Sequence, residues 1–232
     1  MVKGIKPNMF TPTDKFISLM HFEFSDIKKI FKRTTEIAHI LLNNYAIINN
    51  LSEKRWINTI EFYIANITLP DYASQGGATH ERAEQKKSGY FYVHTKSKAD
   101  WTTPIFNRHG IDITCGSNNC YGGILIREIE NPKNIEGSGR TLRAILRGDE
   151  GYNPIPRKDP RNGWSEDEKE ILEDLNNSSI FCNETNIKII PIKNRNCSLY
   201  KGKRVGIGKT KFSELELRYS VRKINDSFTK VI

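Results

Sequence analysis

Residues 109–130 read HGIDITCGSNNCYGGILIREIE. Two apolar runs, 111–115 and 124–129, flank a polar connection that contains glycine, a pattern typical of two buried strands joined as a hairpin. Each run contains one charged residue, Asp112 in the first and Arg127 in the second. A charge inside a buried strand is unfavourable unless it is paired or used, so this hairpin is where the sequence predicts a functional site.

Helix and strand patterns lie on both sides of the hairpin. Apolar residues recur at helical spacing over 26–43, which predicts an amphipathic helix. Residues 45–49 and 55–63 have the composition of two paired strands, and the aromatic segment 89–94 predicts a third. A capping box, Ser-x-x-Glu at 165–168, predicts the start of a second, shorter helix.

These patterns together predict an α+β fold. We expect a single domain over residues 25–224, built on one mixed or antiparallel, curved sheet flanked by a few helices. Residues 1–24 look irregular, and residues 225–232 look like a tail. With 232 residues, of which 37% are hydrophobic, the chain can bury a substantial core.

Composition excludes several classes of protein. No run of 18 apolar residues occurs, and the N-terminal residues lack an apolar signal region, so we expect a cytoplasmic protein without a membrane partner. The four cysteines show no Cys-x-x-Cys pair and no histidine at ligand spacing, so we expect reduced thiols, no zinc and no other metal.

The chain is strongly basic. It has 36 Lys and Arg residues against 27 Asp and Glu residues, a net charge of +9. This excess is typical of proteins that bind a polyanion such as DNA or RNA, although a solvated basic surface explains it equally well. We expect a monomer.

Three sets of residues are candidates for a site, and each has a structural alternative. Glu61 and Tyr63 are two apart on a predicted strand and face the same side, so Glu61 can act as a general base. The pattern alone favours an edge strand with Glu61 in solvent. Arg127 can contact a phosphate or an anionic transition state, but a structural cross-strand pair with Asp112 is favoured.

Aromatic side chains alternate along the predicted strand 89–94. Tyr90, Tyr92 and His94 lie on one side of it, where aromatic faces of a basic protein can stack nucleic-acid bases. Ordinary packing within a sheet is the more common reason for such alternation.

Several segments, in their order along the chain, resemble those of the methylpurine (alkyladenine) DNA glycosylase superfamily. The resemblance spans residues 25–224 and rests on IAHILLNNYAII (37–48), TIEFY (59–63), DYASQ (71–75), GYFYVH (89–94), HGID (109–112), GILIREIE (123–130), GSGRTLRAIL (137–146), RVGIG (204–208) and LRYSVR (217–222). It implies the fold of that superfamily and removal of a base from nucleic acid, with duplex DNA as the partner.

The resemblance also assigns catalytic roles. Glu61 corresponds to the glutamate that activates the attacking water, and Arg127 lies beside it to hold the water or the sugar-phosphate. No metal or cofactor is implied. A second register would place Asn66, which cannot act as a base, at the catalytic position. We prefer Glu61 because the alignment that places it at the catalytic position also matches Tyr63 to the family's tyrosine.

The resemblance further implies a pocket for the base and a wedge that enters the DNA. The resemblance implies that His109 and Ile111 fill the gap that a flipped base leaves in the DNA. The chain departs from the family at Gln75, at His94 and near Gly116, where the family has histidine, tyrosine and asparagine. Asp112 is an additional polar candidate without a family role. The implied pocket residues are Tyr63, Gln75, Tyr92 and His94.

Two alternatives to the enzyme stay open. One is a catalytically inactive nucleic-acid-binding protein on the same fold, which would keep the basic surface without the pocket chemistry. The other is the same fold repurposed for a different ligand. Burial of Glu61 close to Arg127 would favour the enzyme, whereas Glu61 in solvent would exclude it.

Overall fold

One long strand organises the sheet. The computed structural model describes residues 12–22, 26–75, 77–94, 109–130, 132–151, 164–176, 178–205, 207 and 212–231. In this part of the chain, β2 (Lys54–Ala65) pairs along its length with three strands, β1 (Tyr45–Ile48), β5 (Tyr121–Glu130) and β9 (Arg218–Ser220). The central position of β2 places its middle residues away from both edges of the sheet.

The described strands form one ten-stranded sheet in which every pair of strands is antiparallel. The other strands are β3 (Ser88–His94), β4 (Gly110–Cys115), β6 (Asn134–Glu136), β7 (Lys188–Pro191), β8 (Leu199–Gly202) and β10 (Thr229–Val231). The main order is β10-β8-β9-β2-β5-β4-β3, while β1 joins β2 to β7 and β6 pairs with β5. The predicted α+β class and the hairpin of β4 and β5 are confirmed.

Four α-helices pack on the sheet within the described ranges: α1 (Pro12–Leu19), α2 (Ile27–Asn44), α3 (Ser138–Gly151) and α4 (Glu166–Leu175). The predicted long helix is α2, which begins where the Asp26 side chain accepts a hydrogen bond from the Lys28 N–H. The predicted capping box is present at the start of α4. No helix in these ranges has both the length and the apolar character needed to cross a membrane.

Two predicted boundaries need correction. The segment 1–24 contains α1, whose Pro12 and Asp14 are residues typical of the first turn of a helix. Phe16 and Met20 are buried in the core, and their burial holds this short segment on the sheet. The tail 225–232 contains β10, which is stabilised by pairing with β8 rather than by its own sequence.

One face of the sheet forms the hydrophobic core. Ile60, Phe62, Ile113, Ile124 and Ile126 alternate along β2, β4 and β5 and are fully buried. Because successive side chains of a strand point to opposite sides, the residues between them project from the other face.

Candidate active site

The second face of the sheet carries a row of residues that are polar except for Leu125. Backbone pairing places Glu61 opposite Leu125, Leu125 opposite Asp112, and Asp112 opposite Tyr92. Arg218 lies opposite Glu61 on its other side. Residues directly opposite each other project to the same side of a sheet, so this row forms one surface, which we call the polar face.

Glu61 is a buried carboxylate at the centre of the sheet. Its side chain has 0% exposure, so the edge-strand alternative that the pattern favoured is wrong. The hydroxyl of Tyr63 donates a 2.9 Å hydrogen bond to Oε2, as expected for two residues on the same side of β2. The backbone N–H of Val205 donates to Oε1 at 3.0 Å.

Two arginines flank this carboxylate. The Nε atoms of Arg127 and Arg218 each lie 3.7 Å from Oε1 of Glu61. Arg218 also binds the carboxylate of Glu136 through Nη2, at 3.2 Å. A buried carboxylate is tolerated only when positive charge and hydrogen bonds compensate it, and this cluster supplies both.

The pairing of β2 with β5 is irregular beside Arg127. Thr59 pairs with Glu128 and Ile60 pairs with Ile126, so Arg127 is the extra residue between them. Arg127 is two residues from Leu125, which lies opposite Glu61, so Arg127 projects to the same side of the sheet as Glu61. The predicted cross-strand pair of Arg127 with Asp112 is therefore corrected: Leu125 lies opposite Asp112, and the ion pair of Arg127 is with Glu61.

The phenol of Tyr63 remains protonated over a wide pH range. Burial raises its pKa well above the ordinary value, and the negative charge of Glu61 and the hydrogen bond to it raise the pKa further. Tyr63 is thus a fixed hydrogen-bond donor to Glu61.

A fully buried ion pair, which the sequence did not reveal, supports Tyr63. Arg204 binds the Asp71 carboxylate at 2.6 Å, and both side chains have 0% exposure. The guanidinium lies 5.1 Å from the centroid of the Tyr63 ring. Asp71 also accepts a 2.9 Å hydrogen bond from the N–H of Ala78, which fixes the connection that follows it. The pair therefore holds that connection and the strand of Tyr63 together.

The other predicted pocket residues occupy different surroundings. Burial raises the pKa of Tyr92 to about 12, and the negative charge of Asp112 makes a smaller contribution in the same direction. Tyr92 is therefore a protonated phenol on the polar face. His94 is the last residue of β3, where its backbone pairs with Gly110. Gln75 is exposed on a 3₁₀ turn, Ala73–Gln75, and the described contacts do not join it to Glu61.

The structure does not support the predicted wedge. Ile111 has 0% exposure and belongs to the hydrophobic core. His109 has 3% exposure, and its ring lies 5.9 Å from the ring of Trp164. A side chain must reach solvent to enter a DNA base stack, so neither residue can fill that role in this conformation.

Asn66, the alternative at the catalytic position, lies just beyond β2. Its side-chain oxygen accepts hydrogen bonds from the N–H groups of Thr68 and Leu69, at 3.0 and 2.8 Å. This is the role of a turn residue. Glu61, and not Asn66, is the side chain that the two arginines flank.

A buried carboxamide that the sequence did not indicate lies above the polar face. Gln85 lies in a 3₁₀ turn, Ala83–Lys86, and has 0% exposure. Its sequence context, a polar segment between two strands, is typical of a solvated loop and gave no signal of burial.

No metal site accompanies the Glu61 cluster in the described part of the chain. Among the described residues, no group of three or more His, Cys, Asp or Glu side chains is placed to hold a metal ion. The four cysteines are free thiols.

No protein-family model matches the chain, and no curated protein matches it either.

Proposed function

We propose that the protein removes a base from nucleic acid by hydrolysing the bond between the base and the sugar. The observation that carries this proposal is the Glu61 cluster: a fully buried carboxylate, bound by two fixed donors and flanked by two guanidinium groups. A carboxylate placed in this way is suited to orient and deprotonate a water molecule.

The carboxylate has capacity left for that water. Each carboxylate oxygen can accept two hydrogen bonds, and Tyr63 supplies one to Oε2. In the proposed reaction, the water donates its proton to Glu61 and its oxygen bonds to the sugar C1′. The base leaves with the electrons of the C1′–N bond. Arg127, whose side chain is 16% exposed, faces the approaching sugar-phosphate.

Burial of Glu61 determines how the substrate must bind. A sugar carbon within a stacked duplex cannot reach a carboxylate that has no exposure, so the nucleotide has to be extruded into the protein. Tyr63 and Tyr92 border the polar face that would receive the base, and His94 ends the same strand as Tyr92. His109 and Ile111, which are buried, take no part in the proposed reaction.

Charge supports a nucleic-acid partner. The net charge of +9 attracts a polyanion and makes binding sensitive to salt. We propose duplex DNA as the partner of a monomeric protein, in agreement with the resemblance to methylpurine DNA glycosylases.

An abasic-site assay tests the proposal. Duplexes that each carry one modified base are incubated with wild type, with Glu61→Gln, and with the control Glu214→Gln, whose carboxylate is 75% exposed. We expect excision by wild type and by the control. The excision rate of Glu61→Gln should be at least about 100-fold lower, because the amide of glutamine cannot accept the proton of the attacking water. Equal rates for Glu61→Gln and wild type would refute the role of Glu61. Absence of excision, with salt-sensitive DNA binding retained, would support the inactive binding protein.

A further inference from the structure

The carboxamide of Gln85 is buried without a hydrogen-bond partner. Neither Nε2 nor Oε1 of this side chain makes a hydrogen bond within the described part of the chain. Buried amides are nearly always satisfied, because losing the hydrogen bonds to water without replacement is unfavourable. An amide in this state is suited to bind a polar group that comes from outside the chain.

Gly123 creates the space in which this amide lies. A Cβ atom at Gly123 would lie 3.1 Å from Nε2 of Gln85 and 2.5 Å from Oδ2 of Asp112. The carboxamide and the carboxylate therefore both lie over the glycine. Any larger residue would displace them.

This position is next to the Glu61 cluster. Gly123 pairs with Tyr63 across β2 and β5, and Tyr63 donates its hydroxyl hydrogen bond to Glu61. Gln85 and Asp112 thus lie one strand away from the side chain that orients the proposed general base. A ligand held by Tyr63 and Glu61 would present its far edge to Gln85 and Asp112.

We infer that Gln85, together with Asp112, determines which bases the site accepts, an inference that rests on the proposed function. The carboxylate accepts hydrogen bonds, whereas the amide NH₂ donates them to a ring nitrogen or a carbonyl oxygen. The pair therefore selects a base whose edge carries an N–H donor beside an acceptor. A base of the same shape without the N–H donor is rejected, because Oε1 of Gln85 then stays without a hydrogen bond.

If Gln85 only stabilised the fold, replacing it would lower the melting temperature of the protein. Methionine has a similar length and no polar group, so Gln85→Met removes an unsatisfied amide from the interior. We expect this variant to unfold at the same temperature as wild type or higher, while it loses base selection. The exposed carboxamide Asn183, replaced by leucine, is the control.

Equilibrium binding to DNA tests the inference without relying on excision. Three duplexes carry guanine, adenine or unsubstituted purine opposite a stable abasic-site analogue, so that no base pair has to be opened. For wild type and Asn183→Leu, we expect the better of guanine and adenine to bind about tenfold more tightly than purine. For Gln85→Met, we expect the difference to fall below about threefold.

The outcomes separate this inference from the proposed function. Unchanged preference in Gln85→Met, or no preference in wild type, would overturn the inference even if wild type excises bases. A preference that Gln85→Met abolishes would support the inference even if no excision is found, in which case only the hydrolytic step proposed for Glu61 fails.

Discussion

Removal of the Asp71 carboxylate should be the most damaging single change outside the Glu61 cluster. In Asp71→Ala, the guanidinium of Arg204 loses its carboxylate partner and keeps its contacts with the Tyr63 ring and with the carbonyls of Phe62, at 3.4 Å, and Phe212, at 3.1 Å. An uncompensated charge then remains in a site where both side chains have 0% exposure. Breaking a buried ion pair in this way costs about 3–5 kcal/mol. For a chain of this size, the melting temperature should fall by about 10 °C.

Urea unfolding followed by circular dichroism measures this loss. The neighbouring ion pair of Lys203 with Glu214 is the control, because its side chains are 53% and 75% exposed. Lys203→Met should therefore change the free energy of unfolding by no more than about 1 kcal/mol. The double variant Asp71→Leu with Arg204→Met removes both charges and should recover part of the loss. An Asp71→Ala protein within about 1 kcal/mol of wild type would show that the pair does not hold the fold together.

Two further changes each test one contact, the first at the start of α4 and the second beside the polar face. Burial alone would raise the pKa of Glu168, but hydrogen bonds with Arg147 and Ser165 outweigh it and lower the pKa below the ordinary value of 4.5. Ionised Glu168 therefore stabilises the fold above pH 4.5, and this contribution disappears as the pH falls through the lowered pKa. Glu168→Gln should destabilise the protein at pH 7 in thermal unfolding and match wild type in strong acid; a deficit independent of pH would contradict this. Gly123→Ala should cost about 1–3 kcal/mol in urea unfolding, because its Cβ overlaps Asp112, and an unchanged midpoint would mean that the carboxylate moves freely aside.

Periodicity predicted the parts of the fold that depend on local sequence. Apolar spacing located α2, and the two runs of residues 109–130 located the hairpin. The irregular pairing beside Arg127 was not predictable, because it arises from the pairing of two strands. The same holds for β10, which is three residues long and exists only through its partner strand.

The site was predictable in part. Glu61, Tyr63 and Arg127 were identified, and the structure brings them together. Arg204 and Asp71 were missed because they lie 133 positions apart, and nothing in either segment indicates burial. Gln85 was missed for a related reason: a polar residue in a polar segment gives no sign that strands will cover it.

The hydrogen bond from Val205 to Glu61 has a consequence for how the chain folds. It joins residues 144 positions apart, and Arg218 reaches Glu61 from still further along the chain. Contacts of such separation form slowly, because the intervening chain must be ordered first. During synthesis, β2 emerges long before the segments that compensate its carboxylate. Completion of the Glu61 cluster therefore coincides with docking of the last strands, and a nascent chain that lacks them carries a glutamate without its partners.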